Sequence, residues 1–315
     1  MKTIVITGGR GFIGSNLIKF ISKEYRIKVL TRGKNNTEDG IEFISTDYHD
    51  VNSVRKAIDG SDIVIHLAAT LFARNKSEFI KENVISSRNI VEASNTSGIK
   101  KLIYLSSLAA GGPSKDLKNP KNEEMQDIPV SNYGLSKLLA EKEIEKLKCP
   151  YVILRPPIVY GPKDDGFSTI AEWVKKGIMI SPSNKDSRFS FIFVNDLCKC
   201  IIKAVEDNSI KNDKFYVCEA QNYSWEEFVE LMAESMKVKK PKIIKMPHTL
   251  LKLTAVSYEI ISYFFKIKPV LNRDKVRESR AYHWIANPKK WEEKTGFNQW
   301  TTIYEGLKKT FSNLI

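Results

Sequence analysis

Residues 2–14 read KTIVITGGRGFIG, and this stretch decides the fold class of the 315-residue chain. Thr3 to Thr7 is a β-branched run typical of a buried strand, and an amphipathic stretch that continues to Ile21 follows the glycines. A second run, Lys28 to Thr31, arrives at the distance expected for a β-α-β unit. The start of the chain therefore predicts strand, glycine turn, helix and parallel strand.

The glycines of this stretch have the spacing of a dinucleotide-binding loop. Gly8 permits a tight turn, Gly11 lets the backbone approach a pyrophosphate, and Gly14 allows close packing of helix on strand. The helix N-terminus then faces the anion, so we expect the loop to bind a dinucleotide.

The end of the second strand indicates which dinucleotide is used. An NAD site usually presents an acidic residue there for the ribose hydroxyls, whereas this chain has no carboxylate between Leu30 and Lys34. Arg32 and Arg10 carry planar guanidinium groups that pair well with phosphate oxygens, so we predict that they clamp the 2′-phosphate of NADP. NADP is favoured and NAD stays possible, with Arg32 then pointing into solvent.

Further apolar runs alternate with helical stretches and predict an α/β fold, a doubly wound parallel sheet of the Rossmann type. The runs are Ile41 to Ile44, Ile63 to Leu67, Leu102 to Leu105 and Tyr151 to Leu154. Ligands of such sheets lie beyond the carboxyl ends of the strands. Small or polar residues stand at three of these ends, namely Asp47 with Tyr48, His66 to Ala69, and Ser106 with Ser107.

A predicted helix from about Asn132 to Leu147 carries the candidate acid/base. Tyr133 and Lys137 lie four residues apart and so on one face. A cationic Lys137, together with the positive charge of an oxidised nicotinamide, favours the phenolate, and we expect the two to lower the pKa of Tyr133 toward working pH. Ser107 is then placed to hold a substrate oxygen while Tyr133 exchanges its proton. The sequence therefore predicts hydride transfer between a nicotinamide and a secondary alcohol or ketone.

These motifs together resemble the extended short-chain dehydrogenases/reductases, the NAD(P)-dependent epimerase/dehydratase family. The resemblance rests on TGGRGFIG from Thr7, HLAA from His66, LSS from Leu105, YGLSK from Tyr133 and RPPIVYGP from Arg155. It implies a catalytic triad of Ser107, Tyr133 and Lys137. It also implies cofactor contacts from Gly8, Arg10, Gly11, Phe12, Ile13, Gly14, Arg32, Asp47 (adenine), Tyr48, Leu67, Ala68 (ribose region), Ala69, Tyr133, Lys137 and Pro156 (nicotinamide side).

The resemblance also implies two domains. A dinucleotide-binding domain is expected over 1–166 and 189–212, and a smaller C-terminal substrate domain over 167–188 and 213–315. The end of the chain is similar to reductases related to 3β-hydroxysteroid dehydrogenase and dihydroflavonol reductase. The family's common homodimer is a further expectation.

Departures from the family pattern narrow the activity. Leu108 and Ala109 stand where a 4,6-dehydratase needs an Asp-Glu pair, so dehydration is not expected. Nucleotide-sugar epimerases place an Arg for the substrate pyrophosphate just before the IxVxD segment, and Arg188 lies one residue too early in that frame. We therefore favour an oxidoreductase for a mostly apolar alcohol or ketone, with a nucleotide-sugar epimerase holding tightly bound NAD, or a non-catalytic dinucleotide sensor, as alternatives.

Composition predicts little beyond this. Scattered lysines produce the net charge of +13, so we expect no nucleic-acid partner.

Four cysteines without a CxxC pair predict neither a metal site nor disulfides. The apolar start of the chain is expected to be a strand instead of a signal peptide, which predicts a cytoplasmic location. The segment from Leu250 to Lys268 interleaves apolar residues with lysines; it is expected to be a core helix, with an apolar substrate pocket or peripheral membrane contact as alternatives.

Overall fold

The protein is described here from a computed structural model that covers residues 1–181, 187–264, 272–281 and 283–312. Within these residues the strands are β1 (Thr3–Thr7), β2 (Arg26–Thr31), β3 (Asn36–Glu38), β4 (Ile41–Ser45), β5 (Ile63–His66), β6 (Lys101–Leu105), β7 (Tyr151–Arg155), β8 (Ile158–Tyr160), β9 (Ile178–Ser181), β10 (Arg188–Phe193), β11 (Asp213–Tyr216), β12 (Asn222–Tyr223), β13 (Lys242–Lys245) and β14 (His283–Trp284).

The helices of the same residues alternate with these strands. They are α1 (Phe12–Ile21), α2 (Val51–Ile58), α3 (Lys76–Phe79), α4 (Ser86–Thr96), α5 (Leu108–Gly111), α6 (Asn132–Ile144), α7 (Asp165–Lys175), α8 (Val194–Glu206), α9 (Trp225–Ser235), α10 (His248–Phe264), α11 (Arg273–Arg280), α12 (Lys289–Thr295) and α13 (Ile303–Phe311). A π-helical stretch, Ile80–Ile85, joins α3 to α4.

A large sheet with strand order β11-β7-β6-β5-β1-β2-β4-β3 forms the centre of the molecule. All its neighbouring strands are parallel except β3, which pairs with β4 in the antiparallel sense. Helices cover both faces because alternate residues of a strand point to opposite sides. Ile4 and Ile6 of β1 pack with Leu17 of α1, whereas Val5 packs with Val54 of α2. The predicted doubly wound α/β fold is confirmed.

The remaining strands lie outside this sheet. Strands β8, β10, β12 and β14 form a second sheet, and β9 pairs with β13. Two segments depart from the predicted domain boundaries. Asp213–Tyr216, assigned above to the smaller domain, is an edge strand of the large sheet, because it pairs in parallel with β7. Residues 189–193, assigned to the larger domain, belong to the second sheet. The division into two domains itself stays a prediction.

The segment predicted as a core helix is helical over the part that the structure describes. Leu251 and Ala255 of α10 are buried and pack with Val276 of α11. Two other apolar side chains of α10, Leu250 and Leu253, are 48% and 65% exposed. Residues 265–268 of the predicted segment lie outside the described part of the chain. Within that part, no helix is long and apolar enough to cross a membrane.

Candidate active site

The glycine loop between β1 and α1 is packed too tightly for side chains. Gly8 has φ +72°, and a Cβ added to it would lie 2.9 Å from the amide nitrogen of Ala68. A Cβ on Gly14 would lie 2.4 Å from the carbonyl oxygen of Gly8. Gly11 closes the turn by donating its N–H to that same oxygen at 3.0 Å, and it caps α1 without a side-chain hydrogen bond. The loop therefore presents backbone at the N-terminus of a helix, which fits the pyrophosphate of a dinucleotide.

A cavity of about 350 Å³ lies beside this loop. It is lined by Gly8, Arg10, Gly11, Leu30, Thr31, Arg32, Tyr48, Leu67, Ala68, Ala69, Thr70, Glu82 and Ser86. The lining contains eight of the predicted cofactor residues and brings together the ends of β1, β2 and β5 with Tyr48, which follows β4, as expected for a parallel sheet.

Other predicted cofactor residues do not line this cavity. Phe12 and Ile13 pack on the hydrophobic core, and Gly14 lies under the turn, where its missing side chain lets α1 approach β1. The side chain of Asp47 is 65% exposed and accepts the N–H of His49 at 2.9 Å. Pro156 accepts the N–H of Leu108 through its carbonyl oxygen at 2.8 Å.

Buried hydrogen bonds hold the strand ends around the cavity. Thr7 Oγ1 accepts the N–H of Ala68 at 3.0 Å and lies 2.7 Å from His66 Nδ1, while Nε2 of that imidazole lies 3.0 Å from Ser87 Oγ. Burial lowers the pKa of His66 to about 3, so the ring is neutral and serves the packing of the site. Tyr48 donates its hydroxyl to the carbonyl oxygen of Leu30 at 2.8 Å, which fixes the end of β2.

The two arginines predicted to clamp a phosphate both line the cavity, and each already contacts a carboxylate. Arg10 donates to Asn36 Oδ1 at 3.3 Å and lies 3.6 Å from Glu38 Oε2. Arg32 pairs with Glu82, a residue of the π-helical stretch. Glu82 was not singled out in the sequence, because it stands 50 residues beyond Arg32 on a different element.

Ser107, Tyr133 and Lys137 lie where β6 meets the first turns of α6. Ser107 directly follows β6, caps α5 by accepting the N–H of Ala109 at 3.1 Å, and is hydrogen bonded to the Tyr133 side chain. Lys137 is buried, donates Nζ to the carbonyl oxygen of Leu105 at 2.7 Å and lies 4.2 Å from the ring centre of Tyr104. The helix begins at Asn132 as predicted and ends at Ile144, before the predicted Leu147.

The surroundings of this group shift both pKa values in the direction of the neutral forms. Burial raises the pKa of Tyr133, the hydrogen bond from Ser107 opposes that shift, and the Glu278 carboxylate adds to it. Burial also lowers the pKa of Lys137 to about 7, against the attraction of Glu141. Loss of hydration therefore outweighs the nearby charges of the chain itself, and the lower Tyr133 pKa expected beside an oxidised nicotinamide stays a prediction.

A second cavity, of about 280 Å³, opens on Ser107 and Tyr133. Its other walls are Leu108, Ala109, Pro157, Ile158, Phe189, Trp225, Lys275, Glu278, Ser279 and Trp284. Seven of these ten residues are apolar, and the polar ones all belong to α11. Its lining comes from α5, α6, β8, β10, α9, α11 and β14, which are distant in the chain. Sequence spacing therefore identified only the serine and the tyrosine.

Helix α11, which lines this cavity, is hydrogen bonded to the start of α6. The Asp274 carboxylate accepts the backbone N–H groups of Asn132 at 2.8 Å and Tyr133 at 3.1 Å, across more than 140 residues of sequence. Ser131, the N-cap of α6, donates its hydroxyl to Glu278 Oε1 at 2.7 Å. Lys275 donates to Glu278 Oε2 at 2.7 Å and lies 5.3 Å from the Tyr133 ring centre. The first turn of α6 is therefore held by the C-terminal part of the chain.

Arg188, the residue weighed as a pyrophosphate ligand, is not part of the cavity beside Tyr133. Its guanidinium donates to Glu227 Oε2 at 2.5 Å. It lines a separate polar cavity of about 430 Å³ with Tyr223, Glu230 and Lys240. Among the described residues there is also no cluster of three or more His, Cys, Asp or Glu side chains that could hold a metal ion.

The fold and site together define a dinucleotide-dependent enzyme that works on a hydroxyl or carbonyl group. The family model of the NAD dependent epimerase/dehydratase family matches residues 4–218, and the chain belongs to this family. The predicted membership among the extended short-chain dehydrogenases/reductases is confirmed. Both oxidoreductases and epimerases occur among its relatives, so the chain is an NAD(P)-dependent enzyme of one of these two kinds.

Two curated relatives and one solved structure illustrate this range. The chain is 28% identical over 246 residues to a UDP-glucose 4-epimerase of Vibrio cholerae, covering 74% of this chain and 75% of that protein. It is 26% identical over 305 residues to a 3 beta-hydroxysteroid dehydrogenase/Delta 5→4-isomerase of Monkeypox virus, covering 86% and 87%. The enzyme WbmG of Bordetella bronchiseptica, solved in complex with NAD and UDP, is similar in fold, with a TM-score of 0.78 at 19% identity over 98% of this chain and 93% of that one.

Proposed function

We propose that this protein is a reductase that converts a ketone of a mostly apolar molecule into a secondary alcohol, with Tyr133 as the proton donor. The observation that carries this proposal is the cavity lined by Ser107 and Tyr133, whose remaining walls are mostly apolar. Burial of an apolar molecule against such walls is favourable, by about 25 cal/mol per Å² of apolar surface. A nucleotide sugar would have to place a charged pyrophosphate near these walls instead.

The chain's residues fit the cofactor at the glycine loop, where a Cβ at Gly8 or Gly14 would collide with backbone. A bound nicotinamide dinucleotide supplies the hydride. The backbone N–H groups at the start of α1 hold its pyrophosphate, and the strand ends at Tyr48 and Ala68 flank its adenosine half. The family resemblance assigns Pro156 to the nicotinamide side.

Tyr133 and Ser107 act on the substrate oxygen. Ser107 donates its hydroxyl to the carbonyl oxygen and orients the ketone in the cavity. Tyr133 Oη donates its proton to the same oxygen as the carbon accepts hydride, which leaves an alcohol and a phenolate. The raised pKa of Tyr133 suits this direction, because the phenol carries its proton before each turnover.

Lys137 acts on the phenolate that this step leaves. With a pKa of about 7 the ammonium form is populated near neutral pH, and in that form Lys137 stabilises the phenolate that the reaction produces. Reprotonation of Tyr133 from solvent then completes the cycle. In this scheme Lys137 sets the energy of the phenolate, and Tyr133 is the group that touches the substrate.

NADP is the proposed cofactor, with Arg10 and Arg32 as ligands of its 2′-phosphate. Both guanidinium groups line the cavity beside the glycine loop, and no Asp or Glu stands between Leu30 and Lys34 at the end of β2. Arg32 is 64% exposed and Arg10 is 50% exposed, so both side chains can turn toward a phosphate. Binding of NAD is the alternative, and the WbmG structure contains NAD.

An epimerase acting on a nucleotide sugar is the second candidate, favoured by the likeness to the Vibrio cholerae enzyme. An epimerase oxidises and re-reduces the same carbon, so it retains its dinucleotide and shows no net change of cofactor. The engagement of Arg188 with Glu227, outside the apolar cavity, speaks against it. A non-catalytic sensor would need no Ser107–Tyr133 pair.

A turnover assay on purified protein separates these candidates. Dinucleotide released by heating is identified first, and the protein is then assayed with NADPH or NADH against a 3-oxosteroid and against UDP-glucose. The proposal predicts an empty site and loss of NADPH absorbance with the steroid ketone. Stoichiometric bound NAD, together with conversion of UDP-glucose to its 4-epimer and no net cofactor change, would establish the epimerase instead.

The other partner assignments stay predictions. These are the homodimer, the cytoplasmic location and peripheral membrane contact of the segment that begins at Leu250. The exposed Leu250 and Leu253 beside Lys252 are the observation that supports membrane contact.

A further inference from the structure

Glu82 brings a carboxylate to the dinucleotide cavity from the helical side and not from the end of β2. It lies on the π-helical stretch that joins α3 to α4, and it lines the same cavity as Arg10, Arg32 and Tyr48. Its side chain is only 13% exposed, although it is ionic. A carboxylate that remains in a partly buried cavity is held there by its partners.

The backbone around Glu82 is fixed by its neighbour. Asn83 is buried, accepts the N–H of Thr70 at 2.7 Å and donates to the carbonyl oxygen of Thr70 at 3.1 Å and to Ser136 Oγ at 2.9 Å. These bonds join the π-helical stretch to the loop after β5 and to the catalytic helix α6. Glu82 therefore keeps its position at the cavity wall, while its partner Arg32 is 64% exposed.

Two charged or titratable side chains, Arg32 and His49, lie against the Glu82 carboxylate. Oε2 is paired with Arg32, and Oε1 lies 3.6 Å from His49 Nε2. His49 Nδ1 lies in turn 3.5 Å from Asp47 Oδ1. Arg32 is thus the strong cationic partner of Glu82, and His49 is divided between two carboxylates.

We propose that Glu82 is the residue that sets the choice between NADP and NAD, because it competes with a 2′-phosphate for Arg32 and offers an acceptor for the ribose hydroxyls. The inference rests on the proposed function only in that the cavity binds a nicotinamide dinucleotide. A 2′-phosphate carries between one and two negative charges near neutral pH and is repelled by a fixed carboxylate across a small cavity. To bind it, Arg32 must leave Glu82, which then loses its partner in a partly buried place.

The same carboxylate favours NAD. The 2′-hydroxyl of NAD is a hydrogen-bond donor, and an ionised carboxylate accepts such a bond more strongly than a neutral amide does. Glu82 would in this way supply, from the helical side of the cavity, the acidic group that is missing after β2. The cofactor preference of the wild-type protein then depends on two opposing effects: Arg10 and Arg32 favour NADP, and Glu82 favours NAD.

The test is the affinity for NADP⁺ and for NAD⁺ in the absence of substrate, measured by titration calorimetry on wild-type protein and Glu82→Gln. Removing the charge and keeping the shape is expected to tighten NADP⁺ binding about tenfold, corresponding to about 1.4 kcal/mol, and to weaken NAD⁺ binding a few-fold. Glu78→Gln is the matched control, since Glu78 pairs with Arg74 and is absent from the lining of the cavity. It is expected to change neither affinity.

A second variant separates competition from positioning. In an Arg32→Ala background, Glu82→Gln should produce a smaller gain in NADP⁺ affinity, because the competition for Arg32 no longer exists. An equal effect on both dinucleotides, or weaker NADP⁺ binding by Glu82→Gln, would overturn the proposal and make Glu82 a residue that only orients Arg32. If wild-type protein bound neither dinucleotide, the proposed function would fail first.

Discussion

The dinucleotide cavity and the apolar cavity are built in different ways. The first is made from the glycine loop and from strand ends that lie between Gly8 and Ser86. The second is made from side chains that span Ser107 to Trp284. Backbone geometry leaves few residue choices, whereas an apolar wall accepts many, so the same fold can keep one cofactor chemistry and change its substrate.

The largest expected effect is at Tyr133, which lines the apolar cavity. Tyr133→Phe removes the proton donor and should lower kcat for ketone reduction about 10³-fold, within the range seen for general acid catalysis. The dissociation constant for the dinucleotide should change less than about twofold. Tyr25→Phe, which removes a hydroxyl bonded to Glu206, is the control and should leave both unchanged. A Tyr133→Phe protein with half the wild-type turnover would refute the role of the phenol.

Side chains added to the glycine loop should weaken dinucleotide binding, because they collide with its backbone. Gly14→Val places a side chain against the carbonyl oxygen of Gly8, so we expect dinucleotide affinity to fall about 100-fold or more by calorimetry. Gly11→Ala, where the added Cβ would meet the same oxygen at 3.2 Å, should cost about tenfold and covers the case in which Gly14→Val does not fold. Lys19→Ala in the same helix should bind normally. Normal binding by both glycine variants would show that the cofactor lies elsewhere.

Substitutions in the apolar cavity should raise the KM for the ketone. Phe189→Ala removes part of one wall, and the loss of apolar contact predicts a KM for an apolar ketone about tenfold higher, with little change in dinucleotide affinity. Leu253→Ala removes an apolar side chain of similar size that is 65% exposed, and it should leave KM unchanged. An unchanged KM in Phe189→Ala, or a changed one in Leu253→Ala, would show that the substrate does not bind in this cavity.

A smaller effect is expected at the contact between α11 and α6. Asp274→Ala leaves two N–H groups of the first turn without their carboxylate, which should lower the free energy of unfolding by about 1 to 2 kcal/mol and reduce kcat several-fold. Asp274→Asn keeps an acceptor oxygen and should restore part of both. If Asp274→Ala lowered stability with no change in kcat, the contact would serve only the fold.

The smallest effect concerns Lys137 in cofactor-free protein. Its folded pKa of about 7 lies below the ordinary value of 10.5, so the unfolded chain binds a proton that the folded protein has lost between these values. Stability from this group therefore rises with pH above 7, by about 1 kcal/mol between pH 7 and pH 8. In Lys137→Met, denaturant titrations should show that this rise is missing. If the free energy of unfolding of the wild-type protein depended on pH as that of Lys137→Met does, the pKa of Lys137 would not be lowered.

The sequence predicted the sheet and the glycine loop in detail because each depends on local pattern. The alternation of Ile4, Val5 and Ile6 places side chains on both faces, and the glycines have a spacing with one structural explanation. Lys137 and Tyr133 could be paired from their distance along a helix.

The remaining parts of the site depend on contacts that no spacing encodes. Asp274 reaches Tyr133 across 141 residues, and Glu82 reaches Arg32 across 50. The pKa of Tyr133 could not be inferred from its neighbour Lys137, because burial dominates it. Strand β11 is only four residues long, so its place at the edge of the large sheet followed from pairing instead of pattern.

The most direct test of the central claim follows the hydride itself. Purified protein is incubated with NADPH that carries deuterium at C4 of the nicotinamide and with a 3-oxosteroid, and the product is analysed by mass spectrometry. The account predicts an alcohol with one deuterium on the carbinol carbon, formed in proportion to the NADPH consumed, and no product from Tyr133→Phe. A protein that transfers no deuterium to the ketone and instead epimerises UDP-glucose with its own bound NAD would contradict it.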